Sequence, residues 1–132
     1  MRELHLAKSA GFCYGVRRAV ELAEAAAESG KPCVLLGHII HNQNVVDRLA
    51  ALGLKTVERV EEVPPGSQVI IRSHGESWAT YEALRARGAE VLDATCPNVK
   101  RIHQIVSQAE ARGRQPIIIG TPDHPEVEAI AG

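Results

Sequence analysis

Residues 33–71 read CVLLGHIIHNQNVVDRLAALGLKTVERVEEVPPGSQVII, and the fold follows from them. Cys33-Val34-Leu35-Leu36 is a compact apolar run of the kind a doubly buried strand needs. Asn42 or Asn44 can cap a helix carrying Val45, Val46, Leu49 and Leu52, which Gly53 stops. Lys55 to Val57 reads as a short edge strand, Pro64-Pro65-Gly66 as a turn, and Val69-Ile70-Ile71 as the next buried strand. Apolar strands separated by an amphipathic helix imply parallel pairing, because the crossover helix must cover the sheet. The expected fold class is therefore α/β, a parallel sheet with helices on both faces.

The same alternation extends outward. Leu4 and Leu6 alternate with Glu3 and His5, which predicts a first strand over residues 3–8. Residues 15–29 form a helical pattern with Val16, Ala19, Val20, Ala23, Ala26 and Ala27 on one face and Gly30 at its end. Downstream, residues 77–87 predict a third helix, Val91-Leu92 a strand, and Pro97 the first turn of a fourth helix. That helix places Val99, Ile102, Val106 and Ala109 on one face. Ile117-Ile118-Ile119 predicts a last strand, and Pro125 opens a helix that the chain leaves unfinished.

Composition removes several function classes. The 132 residues carry 15 Lys+Arg against 16 Asp+Glu, a net charge of -1 without a basic run. This is no electrostatic footprint for nucleic acid. No apolar run approaches the roughly 20 residues that span a bilayer, and the start MRELHLAKSA lacks the apolar core of a signal peptide. The expectation is a cytoplasmic, reducing setting, where three cysteines point to metal or redox chemistry rather than disulfides.

The cysteines and histidines fall at telling places. Cys13 lies between the first predicted strand and the first helix. His38 and His41 follow the second strand, His74 stands three residues beyond Ile71, Cys96 precedes the fourth helix, and His124 follows the last predicted strand. All would gather at the carboxyl ends of parallel strands, where open α/β sheets bind ligands. His5, His103 and Cys33 fall elsewhere. Cys13 sits in Gly11-Phe12-Cys13-Tyr14-Gly15, whose glycines permit close backbone approach. Cys96 stands at an N-cap, where the helix dipole favours a thiolate. The pair reads equally as metal ligands or as buried structural cysteines. Cys33, flanked by apolar residues, reads as structural. His41, His74 and His124 in tight loops beside helix N-termini would form an anion site suited to phosphate or diphosphate. Glu126 is either a general acid beside that site or, more simply, a first-turn carboxylate complementing the helix dipole.

Gly11-Phe12-Cys13-Tyr14-Gly15-Val16 with Arg18-Ala19, His41-Asn42, Ser73-His74-Gly75, Asp93-Ala94-Thr95-Cys96-Pro97 and His124-Pro125-Glu126-Val127 occur in one order. This series closely resembles the 4-hydroxy-3-methylbut-2-enyl diphosphate reductases, the last enzymes of the non-mevalonate isoprenoid pathway, from about residue 5 onward. The resemblance implies a [4Fe–4S] enzyme that reductively removes a hydroxyl from an allylic diphosphate. Its electrons would come from an external donor such as ferredoxin or flavodoxin. Cys13 and Cys96 match two of three cluster cysteines, His41, His74 and His124 match the diphosphate histidines, and Glu126 matches the acid linked to proton delivery. The family fold is three similar α/β units around the cluster. Residues 1–95 are then expected to be the first unit and 96–132 the start of a second.

Family members continue past His124-Pro125-Glu126-Val127 to a third cysteine and to Ser, Thr and Asn contacts that have no counterpart here. Ala129 stands where a Gly often follows. The chain is thus expected to be an N-terminal portion, with the third ligand beyond Gly132 and no stable, active cluster on its own. Two other readings compete: a non-catalytic diphosphate-binding fragment, and a zinc or thiol enzyme using Cys13 and Cys96 with His41 or His74.

Overall fold

A computed structural model describes residues 2–132. In chain order its elements are α1 (Tyr14–Glu28), β1 (Cys33–Leu36), α2 (Gln43–Ala51), β2 (Lys55–Val57), a short 3-10 helix (Val60–Glu62), β3 (Gln68–Ile71), α3 (Trp78–Ala86), β4 (Glu90–Asp93), α4 (Pro97–Ala111) and α5 (Pro125–Ala131). The four strands form one sheet in the order β2-β1-β3-β4, parallel throughout, with Val34 opposite both Lys55 and Val69, and Ile70 opposite Leu92.

Successive residues of each central strand face opposite layers. Leu35 and Ile70 point into a core with Ala19, Val20 and Ala23 of α1 and with Val45 and Leu49 of α2. Val34, Leu36, Val69 and Ile71 point the other way, against Val63 and Leu84. This explains why both runs are apolar at every position: the sheet is covered on two sides. The small residues of α1 let that helix approach the sheet closely, and Ala19 and Ala23 are fully buried. Asn42, rather than Asn44, caps α2 by accepting the Val45 N–H at 3.3 Å. Arg87 ties the end of α3 to the loop before β3, donating from Nε and Nη2 to the Val63 carbonyl.

Two predicted strands do not form. Residues 3–8 join no strand ladder among the described residues and end in a turn at Lys8, and Leu4 and Leu6 are 95% and 84% exposed. Residues 117–119 also lie outside any ladder, with Ile117 and Ile119 at 85% and 96%. Alternation or a short apolar run establishes only that a segment would suit a sheet. A strand exists where a neighbour supplies the partner N–H and C=O groups. Neither segment reaches the free edges of β2 or β4. The face predicted for α4 is likewise only partly covered: Val99 is buried, whereas Ile102 is 44% exposed. No helix among the described residues is long and apolar enough to cross a membrane.

Candidate functional site

The strand order reverses between β1 and β3, since β1 leads outward to β2 while β3 leads to β4 on the other side. At such a switch point the following loops diverge and leave a crevice at the carboxyl ends. The loop after β1 carries His41 and the turn after β3 carries His74, and their ring centroids lie 6.1 Å apart. His124 comes from a remote segment to a place 6.1 Å from His74, edge-on to it. Three imidazoles therefore stand in a row with His74, half-buried, in the middle.

His124 reaches this position as the N-cap of α5, not from the end of a strand. Its Nδ1 accepts the Glu126 N–H at 3.2 Å. That bond requires an unprotonated Nδ1, so the ring proton sits on Nε2, available as a donor. Glu126 lies in the first turn of α5, complementing the helix dipole, and it is also close enough to His74 to act on its charge. The first-turn reading is thus what its position in α5 bears out.

Both cysteines matched by motif are N-caps. Cys13 precedes α1 and Cys96 precedes α4, and neither uses its side chain for capping. The placement of Cys13 comes from the helix alone, since the strand expected before it is absent. Cys96 is held closely. Its N–H donates to the Ser73 carbonyl at 2.9 Å, and the Ala94 N–H donates to Ile71, so the β3–β4 pairing continues past the strand ends. A Cβ placed on Gly15 would lie 2.6 Å from Cys96 Sγ, which shows how tightly the thiol nestles against the first turn of α1. All three cysteines are free thiols. Cys33, at the opposite end of the sheet, has its pKa pushed up to about 11 by burial, with Glu90 adding to the effect. Among the described residues no three His, Cys, Asp or Glu side chains converge as a metal site.

Sequence reasoning did not find that Tyr81, Lys100 and His103 join Asp93 and Thr95 in a polar layer behind these groups. Asp93 accepts the Thr95 N–H at 2.9 Å and pairs with Lys100 at 2.6 Å. Burial opposes ionisation of Asp93, but Lys100 and the Thr95 bonds outweigh it and hold the carboxyl below its usual range. Thr95 Oγ1 lies 3.5 Å from the Tyr81 hydroxyl, and Arg18 Nη1 donates to the Thr95 carbonyl at 3.4 Å. Burial pushes Tyr81 up to about 12. His103, placed elsewhere by its position in the sequence, packs beside Gly75 and Thr95 with its Nε2 buried and without a hydrogen-bond partner. Tyr81, Asp93, Thr95, Lys100 and His103 line a cleft of about 470 Å³ between α3 and α4. None of Cys13, His41, His74, Cys96, His124 or Glu126 lines it, so this cleft does not contain the imidazole row.

Burial depresses the pKa of His74, with Arg72 adding to that effect and Glu126 opposing it; burial likewise depresses His103 against the pull of Asp93. The unfolded chain then binds more protons than the folded one below about pH 6.5, the ordinary histidine value. The stability linked to these residues is fully present above that pH and is lost as pH falls through the depressed values. Urea unfolding followed from pH 7.5 to pH 5 should show this loss, and His74→Gln should remove the His74 share.

The chain shares its sequence and fold with characterised proteins. It is 46% identical over 125 residues to the 4-hydroxy-3-methylbut-2-enyl diphosphate reductase of Geobacter sp. (strain M21), covering 95% of this chain and 44% of that relative. It superposes with a TM-score of 0.83 and 45% identity on a solved (E)-4-hydroxy-3-methyl-but-2-enyl diphosphate reductase, described as the terminal enzyme of the non-mevalonate pathway, covering 95% of this chain and 44% of that one. The corresponding Plasmodium falciparum reductase gives a TM-score of 0.87 at 33% identity, over 93% of this chain and 39% of that structure. The chain spans less than half the length of these relatives. The family model described as LytB protein matches residues 4–132, and the chain belongs to that family.

Proposed function

We propose that this chain contributes the diphosphate-binding imidazoles and two cluster cysteines of an iron–sulfur 4-hydroxy-3-methylbut-2-enyl diphosphate reductase. The observation that carries this reading is the row His41–His74–His124 at the switch point, built from three separate segments. Reductases of that name are its relatives. The reaction converts the allylic alcohol diphosphate to isopentenyl and dimethylallyl diphosphates. Two electrons and two protons are taken up, the C–O bond breaks, and the hydroxyl leaves as water.

The donor set suits such a cofactor in kind. Cys13 and Cys96 are unpaired N-cap thiols, and glycine at position 15 leaves room for Cys96 Sγ. Both would ligate the cluster, with a further ligand from outside these 132 residues, whereas Cys33, at the opposite end of the sheet with its pKa raised, would not. When bound, a [4Fe–4S] cluster would supply the electrons and an open iron for the leaving oxygen. The remaining work belongs to this chain. His124 offers Nε2–H, and His41 and His74 offer their imidazoles, to the non-reacting diphosphate. Anchoring that end holds the reacting carbon in place. Glu126, beside His74, would hold the proton that accompanies loss of the hydroxyl. In this scheme residues 1–95 form a first α/β unit and 96–132 open a second, in a cytoplasmic enzyme fed by a ferredoxin- or flavodoxin-type donor.

Inorganic pyrophosphate binding, followed by calorimetry, needs no iron and tests the anion site directly. The chain is expected to bind it, and His74→Ala to bind about tenfold more weakly, the cost of one lost hydrogen bond to a charged group. Anaerobic iron–sulfide treatment of the 132 residues alone should give substoichiometric iron and no turnover. Zinc at one per chain with no iron, together with absence of pyrophosphate binding, would overturn the assignment.

A further inference from the structure

Arg72 is the first residue after β3 and the start of a turn that the Gly75 N–H closes onto the Arg72 carbonyl at 3.1 Å. Gly75 sits at φ +80, the left-handed region that favours glycine. The Arg72 side chain folds back over this turn. Its Nε lies 3.0 Å from Glu76 Oε1, with only 22% and 15% of the two side chains exposed. The guanidinium also covers the neighbouring loop: Nη1 would stand 3.2 Å from a Cβ on Gly37, the residue that opens the segment leading to His41. Between Arg72 and His74, the buried Ser73 supplies the carbonyl that receives the Cys96 N–H. One ion pair therefore touches the His74 turn and the start of the His41 loop, one residue away from the hydrogen bond holding Cys96.

Pairs this far out of water seldom stabilise a fold relative to apolar side chains of similar volume, because desolvation offsets the Coulombic gain. Fixed geometry is what they can supply instead. We propose that Arg72 and Glu76 are positioning residues that clamp the switch point, holding the His41 loop, the His74 turn and the Cys96 backbone in one fixed arrangement. The proposal rests on the reading of the imidazole row as an anion site, but its geometry can be tested without any anion.

The test compares the full chain with the volume-matched double variant Arg72→Met/Glu76→Leu and with the charge-conserving Arg72→Lys. Three signals are read: thermal midpoint, the His74 imidazole resonances, and hydrogen exchange of the Cys96 amide. The double variant should melt at or above the wild-type temperature while His74 resonances broaden or split and Cys96 exchanges about tenfold faster, as local opening becomes easier. Pyrophosphate should bind about tenfold more weakly, the loss of one well-placed hydrogen bond. Arg72→Lys, which keeps the ion pair, should recover most of each signal. Unchanged His74 and Cys96 signals in the double variant would overturn the clamp. So would a lowered melting point that accompanies their loss, which would assign the pair to stability alone. If the double variant does not fold, Arg72→Gln set against Arg72→Lys decides on the same two signals. If wild type binds no pyrophosphate, the anion reading fails, and His74 and Cys96 still decide the clamp.

Discussion

Replacing Gly15 with alanine is expected to dislodge Cys96. The added Cβ would meet Cys96 Sγ at 2.6 Å and Cys96 Cβ at 2.9 Å, both inside van der Waals contact. Gly15 lies within α1, so the methyl cannot swing aside; either α1 tilts or the Cys96 loop retreats. Cys96 is fixed on its other side by its N–H to Ser73, and the preceding Thr95 is fixed by Asp93 and Arg18. A retreat therefore breaks several bonds together. Overpacking of this kind costs about 1–3 kcal/mol, even though alanine is the better helix former by about 1 kcal/mol. Urea unfolding should show that loss, and alkylation of Cys96 should accelerate as the thiol leaves its niche. Wild-type stability with an unaltered Cys96 alkylation rate would show that the niche is wider than the contact implies. Gly11, with open space around it and φ +132, fails differently: there alanine is strained by backbone conformation and disturbs no thiol.

What could be read from sequence divides along physical lines. All four strands of the sheet were legible, and the two inner ones most plainly: Cys33–Leu36 and Val69–Ile71 are apolar throughout because both faces of the sheet are covered there. The helices were legible from their periodicity and stops, Asn42 and Gly53 around α2 and Pro97 at the start of α4 among them. Residues 3–8 and 117–119 carried the same local signals and failed, since pairing depends on a neighbour that no local pattern contains. The gathering of His41 and His74 followed correctly from loops after parallel strands. That of His124 came about differently: it is the N-cap of α5, so a residue placed before a helix was informative even when the strand before it was not. The layer behind the site was hidden. Arg72 and Glu76 are four apart across a turn rather than on a helix, and Tyr81, Asp93, Lys100 and His103 come from three elements. A usable signal was Ser73-His74-Gly75: a glycine at positive φ there marks a tight turn, and Arg72 and Glu76 flank it with opposite charges.

Ile70→Ala should be among the most destabilising single changes in the protein. Ile70 is 1% exposed on β3, an inner strand, and packs among α1 and α2 through Ala23, Leu49 and their neighbours. Removing its outer carbons leaves a cavity between a sheet and two helices that cannot collapse independently. Such truncations cost about 2–5 kcal/mol, a large part of the 5–15 kcal/mol that typically separates folded from unfolded states. Ile71→Ala should cost a similar amount from the opposite layer, against Val63 and Leu84. The control is Ile119→Ala, the same chemical change at 96% exposure, where the shift should stay within about 0.5 kcal/mol. A large loss at Ile119 would show that residues 117–119 pair as a strand after all, so urea unfolding of these variants tests the packing of the sheet and its limits together. The effect should also reach the site. Arg72, Ser73 and His74 follow directly from Ile71, so a loosened β3 carries the His74 turn with it, and pyrophosphate binding should weaken in Ile70→Ala even where most molecules remain folded.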